Sequence, residues 1–281
     1  MGSSAARLLA AALAVALGPT RAFFFHHPVV HGDSYSYKGD GGAPEHPETL
    51  FQPGDVFTDV TLENWDLSDV ASLNLPHSIQ KLNLVKCKLG AIPEEVRALE
   101  SLRELNLAEN ELELFGGAFA ASTTITKLNA SHNALNAYNV SFPVLAMLDL
   151  SANSLTDFPN SVFASPQLDS FRIASNGFEI AAMSAAQYDF FAGLSDFQAG
   201  FADVSSCSTG SLVYLQGKGV CRLDIAAAED PAIVMRIMVQ IRHKNLQLNG
   251  YGGVVILPCQ FRATQRRSTS SQQSLSWWSL V

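Results

Sequence analysis

The chain has 281 residues, 47% hydrophobic and 16% charged, with a formal net charge of −8. That length admits one large domain or two. The acidic balance argues against a nucleic-acid partner, which needs clustered Lys and Arg, and no run of 18 or more apolar residues is present to span a bilayer.

Residues 1–22 have the pattern of a secretory leader. Arg7 supplies the positive charge, Leu8 to Leu17 form a short apolar run, and Thr20 and Ala22 are the small residues at −3 and −1 of a cleavage site after Ala22. The alternatives are an uncleaved signal-anchor and a spurious start. Cleavage would place the chain outside the cell, in an oxidising compartment where disulfides form. Residues 23–56 contain His26, His27 and His31 among Gly and Pro. Their irregular spacing and the lack of a nearby Cys argue against a metal site. This stretch is expected to be a flexible segment, part of which covers the open N-terminal end of the region beyond it.

From 57 onward one pattern recurs. Leu102-x-x-Leu105-x-Leu107-x-x-Asn110-x-Leu112 is matched by Ile79-x-x-Leu82-x-Leu84-x-x-Cys87-x-Leu89, with Cys replacing Asn. It returns as Ile125-x-x-Leu128-x-Ala130-x-x-Asn133-x-Leu135 and Leu145-x-x-Leu148-x-Leu150-x-x-Asn153-x-Leu155. Looser copies flank these: Phe57-x-x-Val60-x-Leu62 with Trp65, and Leu168-x-x-Phe171-x-Ile173 with Asn176. Alternate residues of a strand share a face, so Leu105 and Leu107 point inward together. A buried Asn after the strand can bond the neighbouring turns, which makes Cys87, Asn110, Asn133, Asn153 and Asn176 a structural ladder. One unit cannot bury its own apolar face, so the copies must stack.

Over 57–180 the chain therefore resembles the leucine-rich-repeat family, of extracellular type. The resemblance implies an α/β fold: a solenoid of about six repeats with parallel strands on its concave face. Between strands, Leu89-x-x-Ile92-Pro93 and Leu155-x-x-Phe158-Pro159 share one form, in which Pro ends the pairing. Phe115, Phe119, Phe142 and Phe163 recur at similar offsets and are expected to stack in the core.

After Ile180 the period is lost. Cysteines fall at 87, 207, 221 and 259. Extracellular members of the family often finish in a cysteine-bonded cap, which implies a disulfide between Cys207 and Cys221 within a cap over 181–225. Two free thiols are the alternative. Cys87 is expected to be a free buried thiol, and Cys259 is left over. Over 226–281, Asp230-Pro231 has the form of a helix start. Ile233, Val234, Ile237, Met238 and Ile241 then lie on one helical face. The Ser- and Gln-rich tract after it has no fold pattern.

No nucleophile elbow, Walker sequence, H-E-x-x-H, C-x-x-C or G-x-G-x-x-G is present. The reading is a non-enzyme with no cofactor or metal. What remains is a surface. Two columns of variable strand residues project onto the concave face. One is Asp59, Lys81, Glu104, Lys127, Met147 and Ser170. The other is Thr61, Asn83, Asn106, Asn129, Asp149 and Arg172. A third column, from Asn64 and Lys86 to Ser175, is read beside them. The first column alternates in sign, which suits pairing between neighbours as well as it suits a partner. Glycosylation sequons occur at Asn129 and Asn139. A sugar on Asn129 would obstruct the middle of the face.

The resemblance implies a secreted or cell-surface module that binds a protein or peptide. A second reading is a truncated product of a leucine-rich-repeat receptor kinase gene. Ile237 to Tyr251 is similar to the end of helix αC and the following strand of such kinases. Every catalytic kinase motif is missing, so this chain would signal without phosphorylating.

Overall fold

The computed structural model describes residues 28–44, 46–70, 72–115 and 124–223, together with the backbone of Met238–Ile241. All of these lie in the first of two compact units, residues 1–242. The leader, Phe119, Ile233, Val234, Cys259 and the Ser-rich tail lie outside the described residues.

Strands β1 (Val29–His31) and β2 (Ser34–Lys38) form a hairpin. β3 (Asp59–Glu63), β4 (Lys81–Val85) and β5 (Glu104–Asn106) come next, each parallel to its predecessor. β6 (Leu114–Phe115) and β8 (Ala137–Tyr138) make a separate two-stranded sheet. β7 (Lys127–Asn129), β9 (Met147–Asp149) and β10 (Ser170–Arg172) continue the main sheet. β11 (Phe178–Ser184) leaves it. β12 (Asp196–Gln198) rejoins it beside β10 and completes nine strands.

The register explains the core. Tyr35, Val60, Leu82, Leu105, Leu128, Leu148, Phe171 and Phe197 are successive partners across the strands, and all are buried. Each such aliphatic side chain contributes about 1.5–3 kcal/mol of burial. The first and last members of this row correct the expected boundaries. The sequence suggests a flexible cap over 23–56, but β2 is a full strand of the sheet, with Tyr35 and Tyr37 in the places of the leucines. It suggests a cap alone over 181–225, but β12 is another strand of the sheet. The single core residue of β12, Phe197, is too little for the repeat pattern to reveal.

The returns to the back of the sheet are short. After Pro93 the chain makes helix α1 (Glu94–Arg97), and after Pro159 a 3-10 turn over Asn160–Ala164. Phe115 packs on Tyr138 and Phe142. Phe163 belongs to a second cluster that closes the far end, with Phe158, Phe171, Phe178, Phe190, Phe191 and Phe197. Phe191 stacks on Phe197 at 4.4 Å. Phe191 is supplied by helix α2 (Ala185–Ala192), whose start is fixed by a capping box. The Ser184 hydroxyl accepts from Gln187 N–H, and Gln187 Oε1 accepts from Ser184 N–H. At the other end Tyr35, Phe51 and Phe57 form a smaller aromatic cluster.

Beyond the main sheet lies a four-stranded one in the order β13 (Ser211–Leu215), β14 (Lys218–Leu223), β11, β15 (Met238–Ile241). The disulfide Cys207–Cys221 ties the loop before β13 to β14. β15 is a correction. The helix expected across 230–241 ends as a strand antiparallel to β11. The free edge of β11 offers backbone hydrogen bonds that a helix would leave unmade. Val239-Gln240-Ile241 also alternates apolar and polar, as a strand can.

Candidate functional site on the outer face of the sheet

Behind the outer face lies the ladder that fixes it. Asn110 Oδ1 accepts from the N–H groups of Cys87 and Leu89, at 2.8 and 3.1 Å, and its Nδ2 donates to Leu84 O at 2.7 Å. Asn133, Asn153 and Asn176 repeat the scheme. Each accepts from one turn of the previous coil and donates to a carbonyl there, that of Leu107, Ala130 and Leu150 respectively. Two substitutes keep only the donor half. Cys87 Sγ donates to Leu62 O, and Trp65 Nε1 donates to Tyr37 O. Burial pushes the Cys87 thiol up to about 11, so it stays protonated.

The residue before each ladder position, a third surface column by sequence, sits instead in a left-handed turn. Asn64, Lys86, Glu109, His132, Ala152 and Ser175 all have φ between 53° and 61°. Only Asn among these types visits that region readily, and the others incur about 1–2 kcal/mol each. The turn lets pairing run past the strand end: Lys86, Glu109, His132 and Ala152 each donate an N–H to the next coil. Composition gives no sign of this, because one Asn in six is no pattern.

The two columns read from the sequence do lie side by side. Asp59, Lys81, Glu104, Lys127, Met147, Ser170 and Asp196 are successive partners across the sheet. Thr61, Asn83, Asn106, Asn129, Asp149, Arg172 and Gln198 form the adjacent row. Apart from that of Asp149, their charges are spent on each other. Lys81 meets Asp59 at 3.2 Å, Lys127 meets Glu104 at 2.7 Å, and Arg172 meets Asp196 at 2.7 Å. The hydrogen bond from Arg172 holds the Asp196 carboxyl below its usual range. Lys38–Glu63 and Lys86–Glu109 pair likewise beside them. Sequence reasoning does not find Asp196 or Lys38, because the strands bearing them lie outside the recognised repeats. In the second row, Asn83 donates to Thr61 Oγ1 at 2.9 Å. Asn106, Asn129 and Asp149 each accept the N–H two residues on, at 3.1, 3.0 and 2.9 Å.

Of the two sequons, Asn139 and Ser141 are exposed in a connection, whereas Asn129 is half-buried on the face and Ser131 is buried. No cluster of His, Cys, Asp and Glu able to hold a metal occurs among the described residues. Most charged side chains of the two rows are paired with one another across parallel strands.

Such a sheet, with its buried Asn ladder, is a stack of repeated strand-and-turn units. The leucine rich repeat family profile matches residues 66–135, and leucine-rich-repeat domains are in general protein-binding modules rather than enzymes. A solved leucine-rich-repeat protein of Leptospira interrogans is similar at 19% identity, covering 53% of this chain and 42% of that one, with a TM-score of 0.37. The chain thus spans less than half the length of that protein. No curated protein matches it.

Proposed function

We propose that this chain is a secreted or cell-surface protein-binding module of the extracellular type, in which about six repeats form a solenoid and the outer face of the main sheet is concave and takes a protein or peptide ligand. One observation carries the reading. Two rows of side chains run in register across β3 to β12, positioned by a satisfied ladder behind them. The disulfide supports an oxidising compartment. The receptor-kinase reading has no such support. It would put Ile237 to Ile241 at the end of a helix, and Met238–Ile241 is a strand; the rest of that fragment lies outside the described residues.

A displayed peptide library selected on the folded protein tests the binding face. Selected binders should lose affinity for Asn129→Arg, in the middle of the face, and keep it for Asn136→Arg in an exposed return on the back. Equal loss in both variants, or in neither, would refute the outer face as the site. Routing is tested separately by N-terminal sequencing of the secreted product, expected to begin at Phe23, and by a gel shift on removal of sugar from Asn139.

A further inference from the structure

Five carboxylates on or beside the strands of the outer face have a cation. Lys38 serves Glu63, Lys81 serves Asp59, Lys127 serves Glu104, Lys86 serves Glu109 and Arg172 serves Asp196. Asp149 has none among the described residues, although it is 8% exposed. Its Oδ1 accepts from the N–H and hydroxyl of Ser151. The same turn is made by Asn106 and Asn129 with a neutral amide oxygen. The N–H bond of the turn therefore requires an oxygen and no charge; among the described residues the charge at 149 is answered only by the Ser151 hydroxyl, with no cation.

The cation in register with Asp149 is Arg172. Its guanidinium is turned to the far side, where Nε and Nη2 both lie 2.7 Å from Asp196 Oδ2. A largely buried carboxylate without a counter-charge gains more from a cation than an exposed one does, because water screens it less. Around Asp149, Met147 offers an apolar thioether contact for a side-chain stem. The Nδ2 donors of Asn106 and Asn129 have no acceptor among the described residues.

We propose that Asp149 is the cation-binding point of the outer face, and that the protein partner places a basic side chain, arginine or lysine, on it. The neighbouring Asn106 and Asn129 then donate to the partner's backbone carbonyls. This rests on the protein-binding reading above. It adds the chemistry of the partner and the residue that selects it. Asp196 keeps the site open by holding Arg172 away.

The probes are two capped tripeptides, acetyl-Gly-Arg-Gly-amide and acetyl-Gly-Gln-Gly-amide, titrated into isotope-labelled protein. The arginine peptide should shift the backbone amide signals of Met147 to Ser151 saturably. The glutamine peptide should bind at least tenfold more weakly. Asp149→Asn should abolish that difference with an unchanged melting temperature, since asparagine makes the same turn at 106 and 129. Asp196→Asn should release Arg172 towards Asp149 and weaken the arginine peptide several-fold. Equal binding of the two peptides, or a wild-type response in Asp149→Asn, would overturn the proposal. That failure is distinct from failure of the binding face itself, which is read from Asn129→Arg with selected binders.

Discussion

Asn133 and Asn129 belong to the same coil and differ in where their hydrogen-bonding capacity goes. Asn133 lies behind the sheet. It accepts from Leu112 N–H and donates to the carbonyls of Leu107, Ala130 and Ser131. Asn129 lies on the outer face. It accepts from Ser131 N–H and its Nδ2 finds no acceptor among the described residues. The ladder is thus closed within the chain, while the face keeps donors to spare. A buried polar group left unpaired costs far more than an exposed one, so the two sites should respond very differently to the same loss of an amide. Stability is concentrated behind the sheet and spare hydrogen-bonding capacity on its front.

The most severe test of this contrast is Asn110→Ala. It orphans two N–H groups, of Cys87 and Leu89, and the Leu84 carbonyl. Each buried orphan costs about 1–3 kcal/mol, so chemical denaturation should show a loss of several kcal/mol. A midpoint within error of wild type would remove the ladder from the account of stability. Next in size is the disulfide. Replacing Cys207 and Cys221 with Ser frees a closed loop that, on the chain-entropy account, contributes about 3 kcal/mol. The loss should appear in the same assay. It should be local, because the bridge ties only the loop before β13 to β14.

Much of the closed side is legible in the sequence. Leucines at fixed spacing and an Asn after each strand state a face and a turn, and β4, β5, β7 and β9 lie where that pattern recurs. The parts that are not legible share a cause. β2 replaces the leucines with Tyr35 and Tyr37, β12 offers only Phe197, and the left-handed turns accept Lys, Glu, His, Ala and Ser alike. In each, stacking on an established neighbour supplies what the local sequence lacks, so the repeat consensus weakens towards the edges. The open side is legible only as a column of alternating charge. That Arg172 is taken, and Asp149 left without it, depends on β12 bringing Asp196 beside Arg172.

The front of the sheet supplies a smaller effect. Lys127→Gln breaks the contact with Glu104, both ends of which are substantially exposed. Exposed pairs contribute about 0–1 kcal/mol, so the melting midpoint should hardly move at moderate salt. A loss as large as that in Asn110→Ala would erase the distinction between the two sides.

The smallest effect concerns acid. Asp66 lies just past the Trp65 turn and accepts from Lys88 Nζ at 2.7 Å and from Ser68. The Lys88 hydrogen bond, then those from Ser68, lower its carboxyl to about 2. A carboxyl depressed in the folded chain adds stability above its unfolded value near 3.8, and loses it as pH falls through the folded value. The contribution of Asp66 should therefore fade between about pH 4 and pH 2. Because the group is open to solvent, the slope should be shallow and sensitive to salt. Asp66→Asn should flatten that limb of the stability profile slightly, and Lys88→Gln should flatten it in part, since Ser68 still donates. An acid limb identical in wild type and Asp66→Asn would show that the contact seen in the folded chain persists equally in the unfolded one.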